Sequence, residues 1–148
     1  MLEQRKVDHL QICLQQEVEF KGLSTGLERY RLVHQALPDL DPSDIDLSVD
    51  FLGWRLRAPL LISPMTGGTP VAAKINRNLA AAAATLGLAM GVGSQRAAIE
   101  DPRLADTYRV RDAAPNIVLL ANLGAVQLNY GYGLAQCRQA IEMIEANA

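Results

Sequence analysis

Residues 59–70 read Pro59-Leu60-Leu61-Ile62-Ser63-Pro64-Met65-Thr66-Gly67-Gly68-Thr69-Pro70, and the fold turns on them. Leu60 to Ile62 is a short continuous apolar run, the pattern of a strand buried on both faces. Pro64 to Gly68 then reads as a loop. Thr69-Pro70 opens a helix: a threonine hydroxyl can accept an orphan N–H as N-cap, and proline suits the first helical position because it has no N–H to leave unpaired. Val71, Ile75, Leu79, Ala82 and Leu86 recur at helical spacing and predict its apolar face. Gly87 is a natural stop.

The same unit recurs downstream. Leu88 to Val92 predicts a second buried strand, ending in Gly93-Ser94-Gln95-Arg96, with a short helix expected between Arg103 and Asp112. Ile117 to Ala121 predicts a third strand, ending in Asn122-Leu123-Gly124, followed by a helix from about Gly133 to Ala146 with Leu134, Cys137, Ile141 and Ile144 on one face. Strand and helix alternate at intervals of about 29 residues without shared sequence, which is structural periodicity and not a sequence repeat. Such alternation predicts an α/β fold with a parallel sheet and right-handed crossovers. Either an open doubly wound sheet or a barrel satisfies it. A closed eightfold barrel takes at least ~200 residues, so three units do not complete one. A fourth strand is due after the last helix, and the expectation is therefore a fragment.

Upstream, apolar Val7, Leu10, Leu14 and Val18 predict a helix within Leu2 to Phe20. Gly22 to Gly26 breaks it, and a second helix is expected from about Leu27 to Leu37, before Pro38. Asp39 to Asp46 is an acidic loop with Pro42. Ile45, Leu47 and Val49, then Trp54 and Leu56 beyond a turn near Leu52-Gly53, predict a β-hairpin. The chain reads as a single incomplete domain, with 1–58 as N-terminal helices and hairpin and 59–148 as the first three β/α units.

Of the 148 residues, 49% are hydrophobic and 20% charged, with a net charge of -2. This is a globular composition, without the basic field that bulk nucleic-acid binding needs. Asn78 to Gln95 is uncharged but contains Asn78, Thr85, Ser94, Gln95 and three glycines, so it reads as helix end, turn and strand, not as a membrane span. There is no N-terminal apolar signal region. Cys13 and Cys137, the two cysteines, lie far apart without metal-ligand or redox spacing, which suits a reducing cytoplasm.

Sites in either α/β architecture form at the carboxyl ends of the strands. Here those positions are Ser63 to Gly68, Gly93 to Arg96 and Asn122 to Gly124, all polar or glycine-rich. Ordinary turns would look the same, so a ligand site and plain turns both remain open. Arg5 and His9 are four apart and share a helical face, with Lys6 adjacent. Two cations and an imidazole can grip a phosphate or simply form a solvated face. His34 and Trp54 read as packing or surface residues, while Tyr130 and Tyr132, after a strand-end loop, either pack or border a pocket. No serine-protease, HExxH or Walker pattern is present, and Arg96 stands where GxGxxG would need its third glycine after Gly91 and Gly93.

Several of these segments, in order, resemble the N-terminal portion of the type 2, flavin-dependent isopentenyl-diphosphate isomerase family. The matching residues are Arg5-Lys6-x-x-His9-Leu10, His34-x-Ala36-Leu37-Pro38, Ile45-Asp46-Leu47 with Phe51-Leu52-Gly53, Ala58 to Gly68, Gly91-Val92-Gly93-Ser94-Gln95-Arg96 and Asn122-Leu123-Gly124-Ala125. The resemblance implies a (β/α)8 TIM barrel that binds FMN at its carboxyl face. It also implies interconversion of isopentenyl and dimethylallyl diphosphate, with reduced FMN as acid/base, NADPH as the usual reductant and Mg2+ as cofactor. Met65, Thr66, Gly67, Ser94 and Asn122 would contact FMN. Arg5, Lys6, His9, Ser94, Gln95 and Arg96 would hold the diphosphate substrate.

Family members run to more than twice this length, and their later strands carry a Gln, the Mg-binding Glu, a flavin-contacting Lys and the loops that clamp the FMN phosphate. The expectation is a cytoplasmic homo-oligomer, tetramer or octamer in the full-length family, with no nucleic-acid or membrane partner and weak or no activity in the 148-residue chain alone. Two alternatives are carried: another FMN-dependent TIM-barrel oxidoreductase, such as a 2-hydroxy-acid oxidase, and a non-catalytic half-barrel remnant that self-associates through exposed apolar surface.

Overall fold

The structure is a computed structural model and describes residues 2–148. A parallel sheet of three strands, β3 (Leu61–Ile62), β4 (Ala89–Gly91) and β5 (Val118–Leu120), lies at its centre in sequential order. Ahead of it stand α1 (Leu2–Gln15) and an antiparallel hairpin of β1 (Val49–Phe51) and β2 (Trp54–Leu56). The long helices α2 (Pro70–Leu86) and α4 (Leu134–Ile144) follow β3 and β5. After β4 come a short α3 (Arg96–Glu100) and a 3-10 turn over Pro102–Thr107. Beyond α4, Asn147 donates its backbone N–H to Leu119 O (2.8 Å) and Ala148 O accepts from Ala121 N (2.7 Å), so these residues run along the outer edge of β5.

Strand alternation divides the core. Met90 and Leu119 face Ala80 and Ala83 of α2, Tyr108, Val110 and Ile144. Ala89 and Val118 point to the opposite face, where Leu56 of the hairpin covers them together with Val49 and Phe51. The hairpin turns at Leu52 (φ 51) and Gly53 (φ 82), the two positive φ values of a tight I′-type turn. β4 is buried at every residue, as its apolar run predicts.

Several expectations are corrected. β3 is not buried on both faces: it is the outer strand of the sheet, with Leu60 and Leu61 exposed and Ile62 half-buried. The second N-terminal helix is absent apart from a 3-10 turn at Leu27–Arg29; Tyr30 has extended backbone, and residues 31–40 have no regular secondary structure. Leu32, Val33 and Leu37 are almost fully exposed, so no packed face supports a helix too short to stand alone. α1 stops at Gln15, five residues short of Phe20. Ile45 and Leu47 precede the hairpin strands.

The apolar face of α2 is rotated from Val71, Ala82 and Leu86, which are exposed, to Ala72, Asn76, Ala80 and Ala83, with Ile75 and Leu79 half-buried beside them. Small side chains are what allow a helix backbone to lie close on a sheet, and periodicity weighted by side-chain size overlooks them. Helical structure after β4 begins at Arg96, ahead of the expected 103–112. α4 buries Ala140 and Ile144 but leaves Leu134 and Cys137 exposed.

Candidate functional site

The three strand-to-helix loops open side by side at the carboxyl end of the sheet, because parallel neighbours in sequential order end together. Over them lies a concave site of about 450 Å³, lined by Arg5, Lys6, His9, Pro64, Met65, Ser94, Arg96, Ala97, Asn122 and Gln127. α1 supplies the first three and so acts as a basic cover. The volume falls within the range of roughly 300–1,000 Å³ usual for small-molecule sites.

Of the residues singled out from sequence, Arg5, Lys6, His9, Met65, Ser94, Arg96 and Asn122 meet in this one cavity. Lys6 is half-buried, and its pKa is pushed down, first by that burial and then by the Arg5 guanidinium. An anion bound between them would oppose both effects by favouring the charged ammonium. Arg96 Nε donates to Glu100 Oε1 at 2.7 Å, one turn along α3, and this bond with the carboxylate charge raises its pKa.

Thr66, Gly67 and Gln95 do not line the cavity. Thr66 is buried, and its carbonyl accepts from Asn76 Nδ2 (3.1 Å) and Gly93 N (2.9 Å). Gly67 lies against the Tyr108 ring so closely that an added Cβ would run into Cε1. Gln95 is wholly buried; Nε2 donates to Ala140 O (2.7 Å) and Oε1 accepts from Asn122 N (3.0 Å). The expectation that Gln95 reaches the substrate therefore meets a side chain turned away from the cavity.

Sequence reasoning missed Gln127, which closes one wall from a 3-10 turn over Ala125–Tyr130, and Ala97 in the first turn of α3. Their positions follow from chain path, not from a motif. It also missed Tyr108, fully buried, whose hydroxyl donates to Ser94 O at 2.9 Å. A side cleft of about 370 Å³ shares Arg96 and Gln127 and adds Glu100, Tyr130 and Tyr132. Among the described residues no group of three His, Cys, Asp or Glu is placed to hold a metal ion, and no helix is long and apolar enough to cross a membrane.

The chain is 56% identical over 146 residues to an isopentenyl-diphosphate delta-isomerase of Nostoc sp., covering 99% of this chain and 42% of that protein. It is 58% identical over 144 residues to the enzyme of the same name from Synechocystis sp., covering 97% and 41%. With that of Aeropyrum pernix it shares 54% over 145 residues, covering 97% and 38%. The chain thus spans about two-fifths of the length of the curated relatives it matches. A family model described as FMN-dependent dehydrogenase matches residues 1–126, most of the chain and every residue that lines the cavity except Gln127, and on that match the chain belongs to the FMN-dependent dehydrogenase family.

Proposed function

We propose that this chain is the flavin- and substrate-binding N-terminal portion of an isopentenyl-diphosphate delta-isomerase, its residues 59–148 forming the first three β/α units of a TIM barrel. The observation that carries the reading is the cavity itself. Arg5, Lys6, His9 and Arg96 surround one space whose floor is the uncharged, hydrogen-bonding rim of Ser94 and Asn122. A cationic wall suits a diphosphate, since charge-assisted bonds to phosphate oxygens are the strongest it can make. The exposed Met65 and the amide of Asn122 suit the face and edge of a planar heteroaromatic ring such as that of FMN.

In this reading reduced FMN supplies acid/base chemistry at carbon when bound, and NADPH keeps it reduced. The chain's own residues do the rest. Ser94 and Asn122 orient the ring, with Met65 against it and Thr66 and Gly67 shaping the loop behind it. Arg5, Lys6 and Arg96 hold the diphosphate, with His9 as neighbour. α1 covers the cavity and excludes water, which strengthens each of these pairings. Ligands for Mg2+ would come from outside these residues. A cytoplasmic homo-oligomer fits the two free, exposed cysteines and the exposed apolar Leu47, Leu52, Trp54 and Leu60.

A second reading, an FMN-dependent dehydrogenase acting on a 2-hydroxy acid, draws on the description of the family model. The names of the relatives and the four basic groups favour the isomerase. A chimera in which residues 1–148 replace the matching segment of the Nostoc enzyme separates the two. It is expected to isomerise isopentenyl diphosphate within about tenfold of its parent, whereas the 148-residue chain alone gives weak or no turnover. A folded, flavin-loaded chimera that oxidises a 2-hydroxy acid and leaves isopentenyl diphosphate unchanged would overturn the isomerase reading.

A further inference from the structure

Each of the three loops that floor the cavity is pinned from behind by one buried polar side chain. Asn76 of α2 donates to Thr66 O and Thr107 O, both at 3.1 Å. Tyr108 donates to Ser94 O at 2.9 Å. Gln95 holds the third loop most completely. Its backbone N–H donates to Asn122 O (2.9 Å), its Oε1 accepts from Asn122 N (3.0 Å), and its Nε2 donates to Ala140 O (2.7 Å) in α4. Both backbone polar groups of Asn122 are therefore committed to one residue that is 0% exposed and does not line the cavity.

We infer that Gln95 is a positioning residue: it fixes the Asn122 backbone, and through it the Asn122 amide at the cavity, while tying that loop to α4, and it does not touch the diphosphate. A buried amide with donor and acceptor both engaged has little left to offer a ligand. Turning it outward would leave the Asn122 N–H without its partner and would give up the bond to Ala140 O. Ser94 and Arg96, its neighbours in sequence, take the opposite course and face the cavity. The inference rests on the proposed function only where flavin is concerned; the clamp on Asn122 stands apart from it.

The test uses the full 148-residue chain with Gln95→Met, which matches the side chain's length and removes donor and acceptor, and Gln95→Glu, which keeps an acceptor facing Asn122. Three quantities are read: amide exchange across residues 118–127, binding of inorganic pyrophosphate, and quenching of FMN fluorescence. Gln95→Met is expected to speed exchange at Asn122 at least about tenfold and to weaken FMN by a similar factor, with pyrophosphate affinity within about twofold of wild type. Gln95→Glu is expected to retain the Asn122 protection and answers the question if Gln95→Met does not fold. Unchanged exchange at Asn122 in Gln95→Met, a fivefold or larger loss of pyrophosphate affinity in that uncharged variant (changes of about that size being resolvable), or loss of the Asn122 protection in a folded Gln95→Glu, overturns the inference. Failure of the wild-type chain to bind FMN would count against the proposed function alone, because the exchange measurement still decides the clamp.

Discussion

Glycine at 67 and 93 is required by contact. A Cβ on Gly93 would lie 2.6 Å from the Thr66 backbone, and one on Gly67 would enter the ring of Tyr108. Gly67→Ala must displace a fully buried tyrosine and is expected to cost about 1–3 kcal/mol in denaturant unfolding. Tyr108→Phe keeps the ring and removes the bond to Ser94 O, so a loss of about 1 kcal/mol is expected in the same measurement. Burial also pushes the Tyr108 phenol up to about 12. An acid whose folded pKa lies above its unfolded value of about 10 stabilises the fold fully below pH 10 and progressively less toward pH 12. Alkaline titration at the phenolate band is expected to show Tyr108 ionising last or only with unfolding, and Tyr108→Phe should flatten the loss of stability over that window. A phenol at 108 that titrates near pH 10 in the folded chain would contradict the burial. At this scale the sequence was informative about residue type and silent about direction. Ser94-Gln95-Arg96 reads as three adjacent polar groups, yet only side-chain rotamers decide that the middle one turns inward to Asn122 and Ala140.

α2 is the element whose start was most legible. Thr69, 1% exposed, accepts from Ala72 N at 3.1 Å, Pro70 occupies the first turn, and Gly87 takes the left-handed conformation at the C-terminus. Thr69→Ala is expected to destabilise by about 1 kcal/mol, read as a lower denaturant midpoint at unchanged slope. The strands of the parallel sheet and the hairpin were legible for the same kind of reason, since each is an apolar or alternating run closed by glycine or proline. The failures have a common cause. The 27–37 helix needed a packing partner that its exposed Leu32, Val33 and Leu37 do not have. The buried stripe of α2 is alanine and asparagine, whose burial comes from the approach of helix to sheet and not from their own hydropathy. Helix α3 starts within the Gly-Ser-Gln-Arg loop itself, where no cap hydrogen bond announces it. The exposed, irregular segment around residues 29–40 is expected to be the first site of tryptic cleavage, at Arg29 and Arg31, well before Lys74 or Arg77 in α2; early cleavage within α2 instead would contradict the packing described here.

At the scale of the whole molecule, two distant parts of the sequence converge. The N-terminal helix, through its Arg5, Lys6 and His9, and the carboxyl ends of three parallel strands, through Ser94 and Asn122, share one cavity. Spacing within α1 placed Arg5 and His9 on one face, but only tertiary structure brings that face over the sheet. Another cleft of about 430 Å³, lined by Arg77, Arg109 and Arg111, contains no residue of the three strand-end loops, and its guanidinium groups pair with Asp112, Asp106 and backbone carbonyls. That contrast supplies the control for the most direct measurement, an equilibrium titration of the 148-residue chain with FMN, followed by flavin fluorescence. Saturable one-to-one quenching is expected, weakened at least about tenfold by Ser94→Ala combined with Asn122→Ala and unchanged by Arg77→Ala. Quenching that does not saturate, or that ignores Ser94 and Asn122 while responding to Arg77, would contradict the assignment of the cavity as the flavin site.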